Sequence, residues 1–370
     1  MATAHPLRRG DLAARVISFR APVAYELEQV DRGLAGVFPN DESLLGEVSE
    51  HLLSAKGKKF RPALLLLTAE MVGGVCEEDS VAAAVVVELV HMATLIHDDT
   101  VDKSLTRRGK PTVHSRWSED VSIIMGDYVY SKAFKILAGL NMYGAMAILA
   151  RSTHDMTIGE MAQIETKWNF DATEDDYMTI IDKKTASLIA AACEIGAMTG
   201  GSHEGESRVC SSFGRQVGLA FQIMDDILDF LGDEAVLGKP RGSDIKGGDI
   251  TLPMIAALRN AAGRDRRRIR DLALALETGW KNSRPRRDDG HGDGTETDGN
   301  VGDPRPGSQA GDDGFDELVR LIEKHGGFEY ARDSAARCAR EAGGLLLSFE
   351  DSPSREALLS AADYVVKRDF

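Results

Sequence analysis

The chain has 370 residues, of which 43% are hydrophobic, so it is long and apolar enough to bury a substantial core. Its formal net charge of -15 disfavours a nucleic-acid partner, which would need a basic stripe that the sequence does not show, and its four cysteines are far apart without CxxC or Cys/His ligand spacing. The amino terminus has basic residues but no apolar segment, so we predict a cytoplasmic protein without a secretory signal or a stable membrane anchor.

Helical patterns dominate the chain from its beginning. Strand-like alternation is scarce, so we predict an all-α fold, a large single-domain helical bundle around a central apolar cavity. A flexible arm is predicted at residues 1–22 and the domain at residues 23–370. Its first two helices are amphipathic and break at residues 37–41, where Asn or Asp can cap the second, and Pro62 is predicted to begin the third helix.

The next helix joins an apolar run to a cluster of acids. Residues 81–101 contain no Gly or Pro and are predicted to be helical. In that helix Asp98 and Asp102 project from one face, while Asp99 points roughly 100° away. Because two carboxylates one turn apart repel each other, we expect a cation between them, and an all-oxygen site suits Mg²⁺ with its waters and phosphate oxygens.

Basic residues stand on both sides of this acidic cluster in the sequence. Arg107 and Arg108 follow it, placed to hold phosphate oxygens as forked donors. Lys58 and Arg61 come before a helix whose amino terminus attracts anions, although an ordinary basic loop is the alternative. His91 lies on nearly the same helix face as the acids, where a core histidine is the alternative to a residue that binds a second diphosphate.

The middle of the chain supplies further polar residues. Helices are predicted at residues 121–150, 153–168 and 175–198. Glu160 and Gln163 share one helix face, which favours packing or hydrogen bonding behind a site. Lys184 and Thr185 lie where the last of these helices turns apolar, so Lys184 needs an anionic partner, which a bound diphosphate would supply.

The acidic pattern then recurs in another apolar helix. Residues 221–230 read FQIMDDILDF and carry Asp225, Asp226 and Asp229 at the same spacing. A single cluster is explained equally well by a solvated surface patch, but two clusters in apolar sequence demand compensation, because a buried unpaired carboxylate is costly. We therefore expect the two clusters to face each other across the bundle, with Mg²⁺ and a diphosphate between them.

The last third of the chain alternates loop and helix. Gly and Pro are frequent from residue 231 to 253, which predicts a loop whose Lys239 and Lys246 close over bound phosphates. Residues 281–314 are rich in Gly and Asp and poor in apolar residues, so we predict a disordered insertion without chemistry. Helices resume at residue 315, with a turn at Gly326.

Five motifs occur in the order typical of the trans-polyprenyl diphosphate synthases, which the chain resembles from about residue 23 onward. They are GKKFRP at 57–62, DDTVD at 98–102 followed by TRRG at 106–109, KTA at 184–186, FQIMDDILD at 221–229 and GKPRGSDI at 238–245. The first departs from the family's GGKxxRP, because Lys56 replaces a glycine. A second departure is Gly248-Asp249, where the family often has Gly-Lys before Thr-Leu-Pro, so a late basic contact is not matched here.

The resemblance implies the isoprenoid synthase type of fold and Mg²⁺-dependent transfer of an allylic diphosphate primer to isopentenyl diphosphate by a homodimer. The implied Mg²⁺ ligands, for three ions when the substrate is bound, are Asp98, Asp102 and Asp225. The acids implied to support them are Asp99, Asp226 and Asp229, and Arg107 and Lys184 complete the catalytic set. The implied contacts of the allylic substrate are Arg107, Lys184, Thr185, Gln222 and Lys239. The implied contacts of isopentenyl diphosphate are Lys58, Arg61, His91 and Arg108.

Product length is argued from the first acidic helix. Ala93 and Thr94 lie about one turn below Asp98 and are predicted to line the cavity that receives the growing tail. The residues below them, with no Phe or Tyr among them to form a floor, are His91, Val90, Val87 and Val86. We therefore predict a product longer than geranylgeranyl diphosphate, in the class of quinone side-chain precursors. Geranylgeranyl or farnesyl diphosphate is the alternative product.

Three other functions stay open at this point. A class I terpene cyclase shares the helical fold, but its second motif would be of an Asn/Ser/Glu type and it would not need basic elements for isopentenyl diphosphate. A non-catalytic subunit of a heteromeric synthase should have lost acids, and none is lost. A phosphohydrolase with a His-Asp metal site matches His97-Asp98, yet the sequence does not show the other spaced histidines that such a site needs.

Overall fold

The structure, a computed structural model, describes residues 19–39, 41–55, 57–74, 77–232, 241–283 and 309–368. Within these ranges the β structure is a single antiparallel hairpin of β1 (Thr106–Arg107) and β2 (Lys110–Pro111). The remaining regular structure is helical, which confirms the predicted all-α fold. Most of the predicted arm and the core of the predicted insertion, residues 284–308, lie outside the described residues.

Sixteen α-helices are described. In chain order they are α1 (Ala24–Val37), α2 (Leu44–Ser54), α3 (Phe60–Val72), α4 (Glu77–Val101), α5 (Val113–Arg116), α6 (Glu119–Gly139), α7 (Tyr143–Glu165), α8 (Glu174–Ile181), α9 (Ser187–Thr199), α10 (Glu204–Leu231), α11 (Ser243–Gly247), α12 (Leu252–Asn260), α13 (Gly263–Ser283), α14 (Gln309–Lys324), α15 (Gly327–Leu345) and α16 (Pro353–Lys367). Short 3₁₀ turns precede α1 and follow α15, and a π-helical turn, Asp182–Ala186, joins α8 to α9.

Two predicted helix starts are wrong by a few residues. The cap of α2 is Ser43, whose hydroxyl accepts a hydrogen bond from the backbone N–H of Gly46 at 3.2 Å, and Asp41 only supports that serine. Helix α3 begins at Phe60, so Pro62 is its third residue. The reason is Lys59, whose left-handed backbone (φ 49°) ends the preceding loop and starts the helix earlier.

The predicted boundary between the two middle helices is also wrong. The chain breaks after Gly139, where Asn141 takes a left-handed conformation (φ 56°), and α7 then runs without interruption from Tyr143 to Glu165. Near the other end of the chain, α13 reaches Ser283 and α14 begins at Gln309, so both margins of the predicted insertion are helical. The predicted turn at Gly326 is confirmed, with φ 72° between α14 and α15.

Long apolar helices form the centre of the bundle. Helix α4 packs against α6 and α1, and α10 packs along α9 on one side and α15 on the other. Helix α9 also lies against α3, where the backbone carbonyl of Leu65 leaves no room for a Cβ on Gly196. The last turns of α4 and α10 carry the two acidic motifs, so these long, well-packed helices support them.

One helix of the described part of the chain is long and apolar enough to cross a membrane, judged by length and composition alone. It is residues 78–101 of α4, and 61% of its apolar window is buried inside the protein. Such burial is typical of a core helix. The three described cysteines, Cys193, Cys210 and Cys338, are buried free thiols, as predicted, and Cys76 lies outside the described residues.

Candidate active site

The first acidic motif lies at the end of α4, with Asp99 buried, Asp98 half-buried and Asp102 exposed. Burial raises the pKa of the Asp98 carboxyl to about 7, against the attraction of the nearby Lys184 ammonium. Asp99 is 6% exposed and accepts a hydrogen bond from Arg107 Nε at 2.7 Å, which the hairpin after α4 brings back onto the helix end. Burial also raises the pKa of Asp102, again opposed by Lys184. The motif is therefore a group of desolvated acids that a cation would stabilise.

The second acidic motif lies in the last two turns of α10. Asp226 is 3% exposed and accepts hydrogen bonds from Tyr177 Oη at 2.6 Å and Gln222 Nε2 at 2.7 Å. Asp229 is fully buried and accepts the backbone N–H of Asp244 at 3.1 Å. Asp225 points outward, with its side chain 41% exposed. The inner two acids therefore organise the helix end, and Asp225 is the one of the three whose side chain is exposed.

Both acidic motifs lie within electrostatic reach of one further acid. The carboxylate of Asp244, in α11, is close enough to both Asp102 and Asp226 to raise the pKa of each. The ammonium of Lys184, just before α9, lowers the pKa of both Asp98 and Asp102. Among the described residues, no three acidic, histidine or cysteine side chains converge closely enough to form a metal site by themselves. The acids thus share one electrostatic environment without forming a closed ligand set.

The oxygen donors of this site fit Mg²⁺ in their chemistry. Mg²⁺ prefers carboxylates together with waters and phosphate oxygens over an all-protein cage. Partly open acids whose pKa is raised by burial, such as Asp98 and Asp102, match that preference. The residues present are therefore compatible with a metal that also takes ligands from a substrate.

The π-helical turn between α8 and α9 delivers the central polar side chains. Lys184 Nζ lies 2.5 Å from Glu160 Oε2 and donates to Gln163 Oε1 at 2.9 Å. Burial acts to lower the pKa of Lys184, but Asp98 and Glu160 outweigh it and raise that pKa. Thr185 donates to Gln222 Oε1 at 2.7 Å. Irregular helical turns of this kind are frequent at functional sites. Glu160 and Gln163 both contact Lys184, and their role behind a site stays a prediction.

A cluster of basic residues lies on the other side of α4. Arg61 Nη1 is 3.0 Å from His91 Nε2, and burial lowers the pKa of Arg61 to about 10 and that of His91 well below its usual value. His91 is therefore a neutral acceptor. Lys58 Nζ donates to Tyr364 Oη at 3.3 Å. Arg108 donates to the carbonyl of Ala55 at 3.4 Å.

A cavity of about 380 Å³ opens beside this cluster between α1, α2 and α4. His91, Arg107 and Arg108 line it together with Glu88, Lys59 and Asp99. Arg61 contacts the lining residue His91, and Lys58 lies in the chain between the lining residues Gly57 and Lys59. The structure thus brings all four of the residues predicted for isopentenyl diphosphate near one cavity. The apolar side chains in its wall include Leu34, Leu52, Leu53, Met92, Leu95 and Ile96.

Several predicted residues lie elsewhere. Ala93 is fully buried and Thr94 donates to the carbonyl of His91, and neither lines this cavity. His91 points into the basic cavity, so its placement on the face below Ala93 was wrong; about 200° of helix separates the two positions. Lys246 donates to the carbonyl of Arg241 at 2.7 Å and stands over the Phe315 ring. Lys239 lies outside the described residues.

Other residues of the site had no signal in the sequence. Arg368 Nη2 lies 2.7 Å from Asp225 Oδ1, although the two are far apart in the chain. Tyr177 reads as an ordinary core residue of α8. Asp244 belongs to the GSDI sequence at residues 242–245. That motif is the only indication in the sequence that Asp244 lies near both acidic clusters. His97 contacts the carbonyl of Ile123 at 3.1 Å and Asp127 at 3.6 Å on α6, away from the other acids.

Comparison with known proteins adds an independent observation. The family model described as Polyprenyl synthetase matches residues 42–278. A short chain isoprenyl diphosphate synthase from Methanothermobacter thermautotrophicus is 36% identical over 92% of this chain and 95% of its own. Heptaprenyl diphosphate synthase component 2 from Geobacillus stearothermophilus is 41% identical over 63% of this chain and 72% of its own. A Caulobacter crescentus polyprenyl synthase, solved with calcium and isoprenyl diphosphate, superposes with a TM-score of 0.81 at 30% identity, covering 98% of this chain and 99% of that one.

Proposed function

The chain belongs to the polyprenyl synthetase family, and we propose that it repeatedly condenses an allylic diphosphate with isopentenyl diphosphate to give a long-chain all-trans polyprenyl diphosphate. The observation that carries this proposal is that the two acidic motifs lie near each other beside Lys184, next to a cavity whose wall carries His91, Arg108 and Lys59 and also Asp99 and Arg107. Two anionic substrates need two cationic sites, and the site of a cyclase needs only one. The retention of every motif acid also separates the chain from a silent subunit.

We propose that the allylic diphosphate binds between the acidic motifs. Asp98, Asp102 and Asp225 would hold Mg²⁺, three ions when the substrate is bound. When bound, Mg²⁺ neutralises the negative charge that grows on the departing diphosphate. Asp99, Asp226 and Asp229 support these ligands through their hydrogen bonds to Arg107, Tyr177 and the backbone of Asp244.

The remaining steps follow from the chain's own side chains. Lys184 and Arg107 stabilise the charge on the leaving diphosphate oxygens, and Thr185 and Gln222 orient that group, with Lys239 as a further proposed contact. Breaking the allylic C–O bond leaves a carbocation. Arg61, His91, Lys58 and Arg108 hold isopentenyl diphosphate so that its double bond donates the electron pair of the new C–C bond. A proton then passes to the released pyrophosphate, and the apolar walls exclude water from the cation.

We propose a product longer than geranylgeranyl diphosphate. Support comes from the face of α4 that carries Ala93 and Thr94, where the neighbouring buried residues Val86, Val87 and Val90 are all small aliphatics. The residues that limit the length of the growing tail would then belong to another helix. The named relatives include a short-chain and a heptaprenyl enzyme, so the alternative, a geranylgeranyl or farnesyl diphosphate synthase, is kept.

We propose a cytoplasmic homodimer. Helices α6 and α7 contact each other and expose large apolar side chains, which soluble proteins usually cover. Those side chains are Ile123, Ile124, Ile158, Met161 and Ile164.

Buried free thiols and the burial of α4 support a cytoplasmic location. Because one relative is named as a component of a heptaprenyl synthase, a heteromer is the alternative assembly.

One assay tests the proposed function. Purified protein is incubated with Mg²⁺, labelled isopentenyl diphosphate and, in turn, dimethylallyl, geranyl, farnesyl and geranylgeranyl diphosphates, and the products are separated by chromatography. We expect elongation that needs Mg²⁺ and gives products beyond geranylgeranyl diphosphate. Products that stop at farnesyl diphosphate would refute the length, and incorporation of no label with any primer would refute the activity of the isolated chain.

A further inference from the structure

An acidic residue stands at a position where related enzymes often carry a cation. The sequence has Gly248-Asp249 immediately before Ile-Thr-Leu-Pro. The structure places this dipeptide beside the acidic site, because Asp249 N donates to the carbonyl of Asp244 at 2.9 Å. A carboxylate so close to Asp244 would repel a diphosphate. The chain therefore needs a compensating positive charge in this corner of the site.

Lys167 supplies a positive charge to this corner from a different element. It lies in the connection after α7, its Nζ is 3.9 Å from Asp102 Oδ1, and its charge acts on Asp249 as well. The backbone fixes this placement, because the N–H of Trp168 donates to the carbonyl of Gly248 at 2.8 Å. Gly248 has φ 95°, and a Cβ there would meet the indole of Trp168 at 2.6 Å. Only glycine allows the two segments to dock this closely.

Asp249 also connects Lys167 to the centre of the site. Its carboxyl lies close enough to Gln163 and to Lys184 for both to lower its pKa, against the effect of burial. The amide Oε1 of Gln163 accepts from Lys184 Nζ at 2.9 Å. The Asp249 carboxyl is thus close to two ammonium groups, those of Lys167 and Lys184, and to the amide that accepts a hydrogen bond from Lys184. This arrangement is typical of a residue that positions others.

We propose that Lys167 is an additional binding residue for the allylic diphosphate and that Asp249 is its positioning residue. The cation is then contributed from the connection after α7 and not from the segment before α12. Lysine suits this role, because its ammonium is a point charge on a flexible stem and its side chain here is 30% exposed at the rim. This inference rests on the proposed function. It identifies Lys167 as a further positive charge in the same site.

The test compares four variants with the wild type. They are Lys167→Gln, Asp249→Asn, the double variant Lys167→Gln with Asp249→Lys, and Lys135→Gln, an exposed lysine of α6, as the matched control. Two quantities are measured for each: the KM for each of the two substrates, and the Kd for an allylic thiolodiphosphate, which binds but does not ionise, in the presence of Mg²⁺. Thermal unfolding verifies that each variant is folded.

We expect Lys167→Gln to raise the allylic KM and the analogue Kd about tenfold, the usual effect of losing one charge-assisted contact, with the KM for isopentenyl diphosphate unchanged. Asp249→Asn should give a smaller increase, about threefold, since the lysine is retained but less well oriented. The double variant should recover most of the loss, because its new lysine lies on the other side of the same gap. Lys135→Gln should match the wild type.

Two results would overturn the inference. In the first, Lys167→Gln binds the analogue as tightly as Lys135→Gln does. In the second, the double variant is no better than Lys167→Gln alone. Both results require a wild-type enzyme that elongates primers, so they leave the proposed function intact. A wild-type protein without prenyl transfer would instead overturn the proposed function itself, so the two failures are distinguishable.

Discussion

The guanidinium of Arg368 lies 2.7 Å from the carboxylate of Asp225, so a cation from the end of the described chain neutralises one of the acids that we propose as metal ligands. Arg368 also donates to the carbonyl of Phe221 at 2.8 Å and stands 4.0 Å from the centre of the Phe221 ring. Only 6% of its side chain is exposed. Because Mg²⁺ and Arg368 both compensate the charge of Asp225, their effects on stability should depend on each other.

The first prediction concerns Arg368→Ala. Without Mg²⁺ we expect the unfolding free energy of the variant to be about 1–3 kcal/mol lower than that of the wild type. The reason is that the Asp225 carboxylate loses its ion pair, and Phe221 loses the guanidinium that packs on its ring. Mg²⁺ with pyrophosphate should restore part of this loss, so the ligand-induced rise in Tm should be larger in the variant than in the wild type. Thermal unfolding with and without the ligands measures the difference.

Arg332→Ala is the matched control for this experiment, since Arg332 is an exposed arginine of α15. Its ligand-induced rise in Tm should equal that of the wild type. If Arg368→Ala also shows the wild-type rise, Arg368 and the metal do not act on the same carboxylate.

The second prediction concerns the buried pair of Arg61 and His91. The pKa of His91 is far below its usual value because burial and the neighbouring arginines disfavour its charged form, so it accepts a hydrogen bond and fixes the Arg61 guanidinium. We expect Arg61→Gln to raise the KM for isopentenyl diphosphate about 10- to 100-fold, as the loss of a charged, forked donor should. The KM for the allylic primer should change less than about threefold.

Initial-rate kinetics with each substrate varied in turn gives both constants. Arg340→Gln, at an exposed position of α15, is the control and should leave both KM values unchanged. An increase confined to the allylic KM would place Arg61 in the other substrate site and contradict the assignment.

The elements that carry the acids could be predicted from the sequence because their signals are local. An apolar run without Gly or Pro fixes α4, and the four-residue spacing of Asp98 and Asp102 sets their common face. The break between α6 and α7 was missed because no proline marks it. Its signal is Gly139 followed by Asn141, and Asn is one of the few residues that take a left-handed conformation readily.

The partners of those acids could not be predicted in the same way. Tyr177 and Asp226 are joined by a hydrogen bond across the bundle, and Arg368 reaches Asp225 from the last helix. No periodicity connects residues on different helices, so such contacts depend on how the helices pack. The contact of Lys167 with Asp102 could not be predicted either, because a single lysine after a helix does not indicate which carboxylate it will contact.

The third prediction tests the Tyr177 contact. Burial and the adjacent Asp226 raise the pKa of Tyr177 well above its usual value, so the phenol stays protonated and donates throughout the working pH range. We expect Tyr177→Phe to cost about 1–3 kcal/mol of unfolding free energy, because it removes a donor from a buried carboxylate. Urea unfolding measures this loss. Tyr25→Phe, at a position 55% exposed, should cost nothing measurable, and equal stability of the two variants would refute the role of the contact.

The fourth prediction concerns pH and Asp249. Burial raises the pKa of this carboxyl from 3.8 to about 6, so the fold disfavours its ionised form. The penalty is absent below a pH of about 4, grows as the pH rises toward about 6 and is constant above that. Asp249→Asn should therefore have a higher Tm than the wild type at pH 8, and the difference should shrink to zero on acidification. Asp175→Asn, at an exposed site on α8, is the control.

A constant difference between Asp249→Asn and the wild type from pH 4 to pH 8 would contradict this titration. The variant should gain stability while it binds the allylic substrate less well, because the asparagine removes the repulsion within the acidic corner and also weakens the orientation of Lys167. Such opposite changes in stability and binding are expected of a charge that is retained for function.

The last prediction concerns the length of the product. Ala93 is fully buried on the face of α4 that also carries Val86 and Val90, and a phenyl ring there would project into the space that we assign to the growing tail. We therefore expect Ala93→Phe to shift the product distribution toward shorter chains, with the KM values for the two substrates little changed. Chromatography of the dephosphorylated products gives the distribution.

Overpacking by itself destabilises a core by about 1–3 kcal/mol, so a folding control is needed to interpret this variant. Ala84→Phe, the same substitution at a fully buried position about 180° around the same helix, should lower Tm without shortening the product. If both variants lose activity and keep the wild-type chain length, this face of α4 does not border the tail. If only Ala93→Phe gives shorter products, the ring blocks the tail directly, because loss of stability alone does not select among chain lengths.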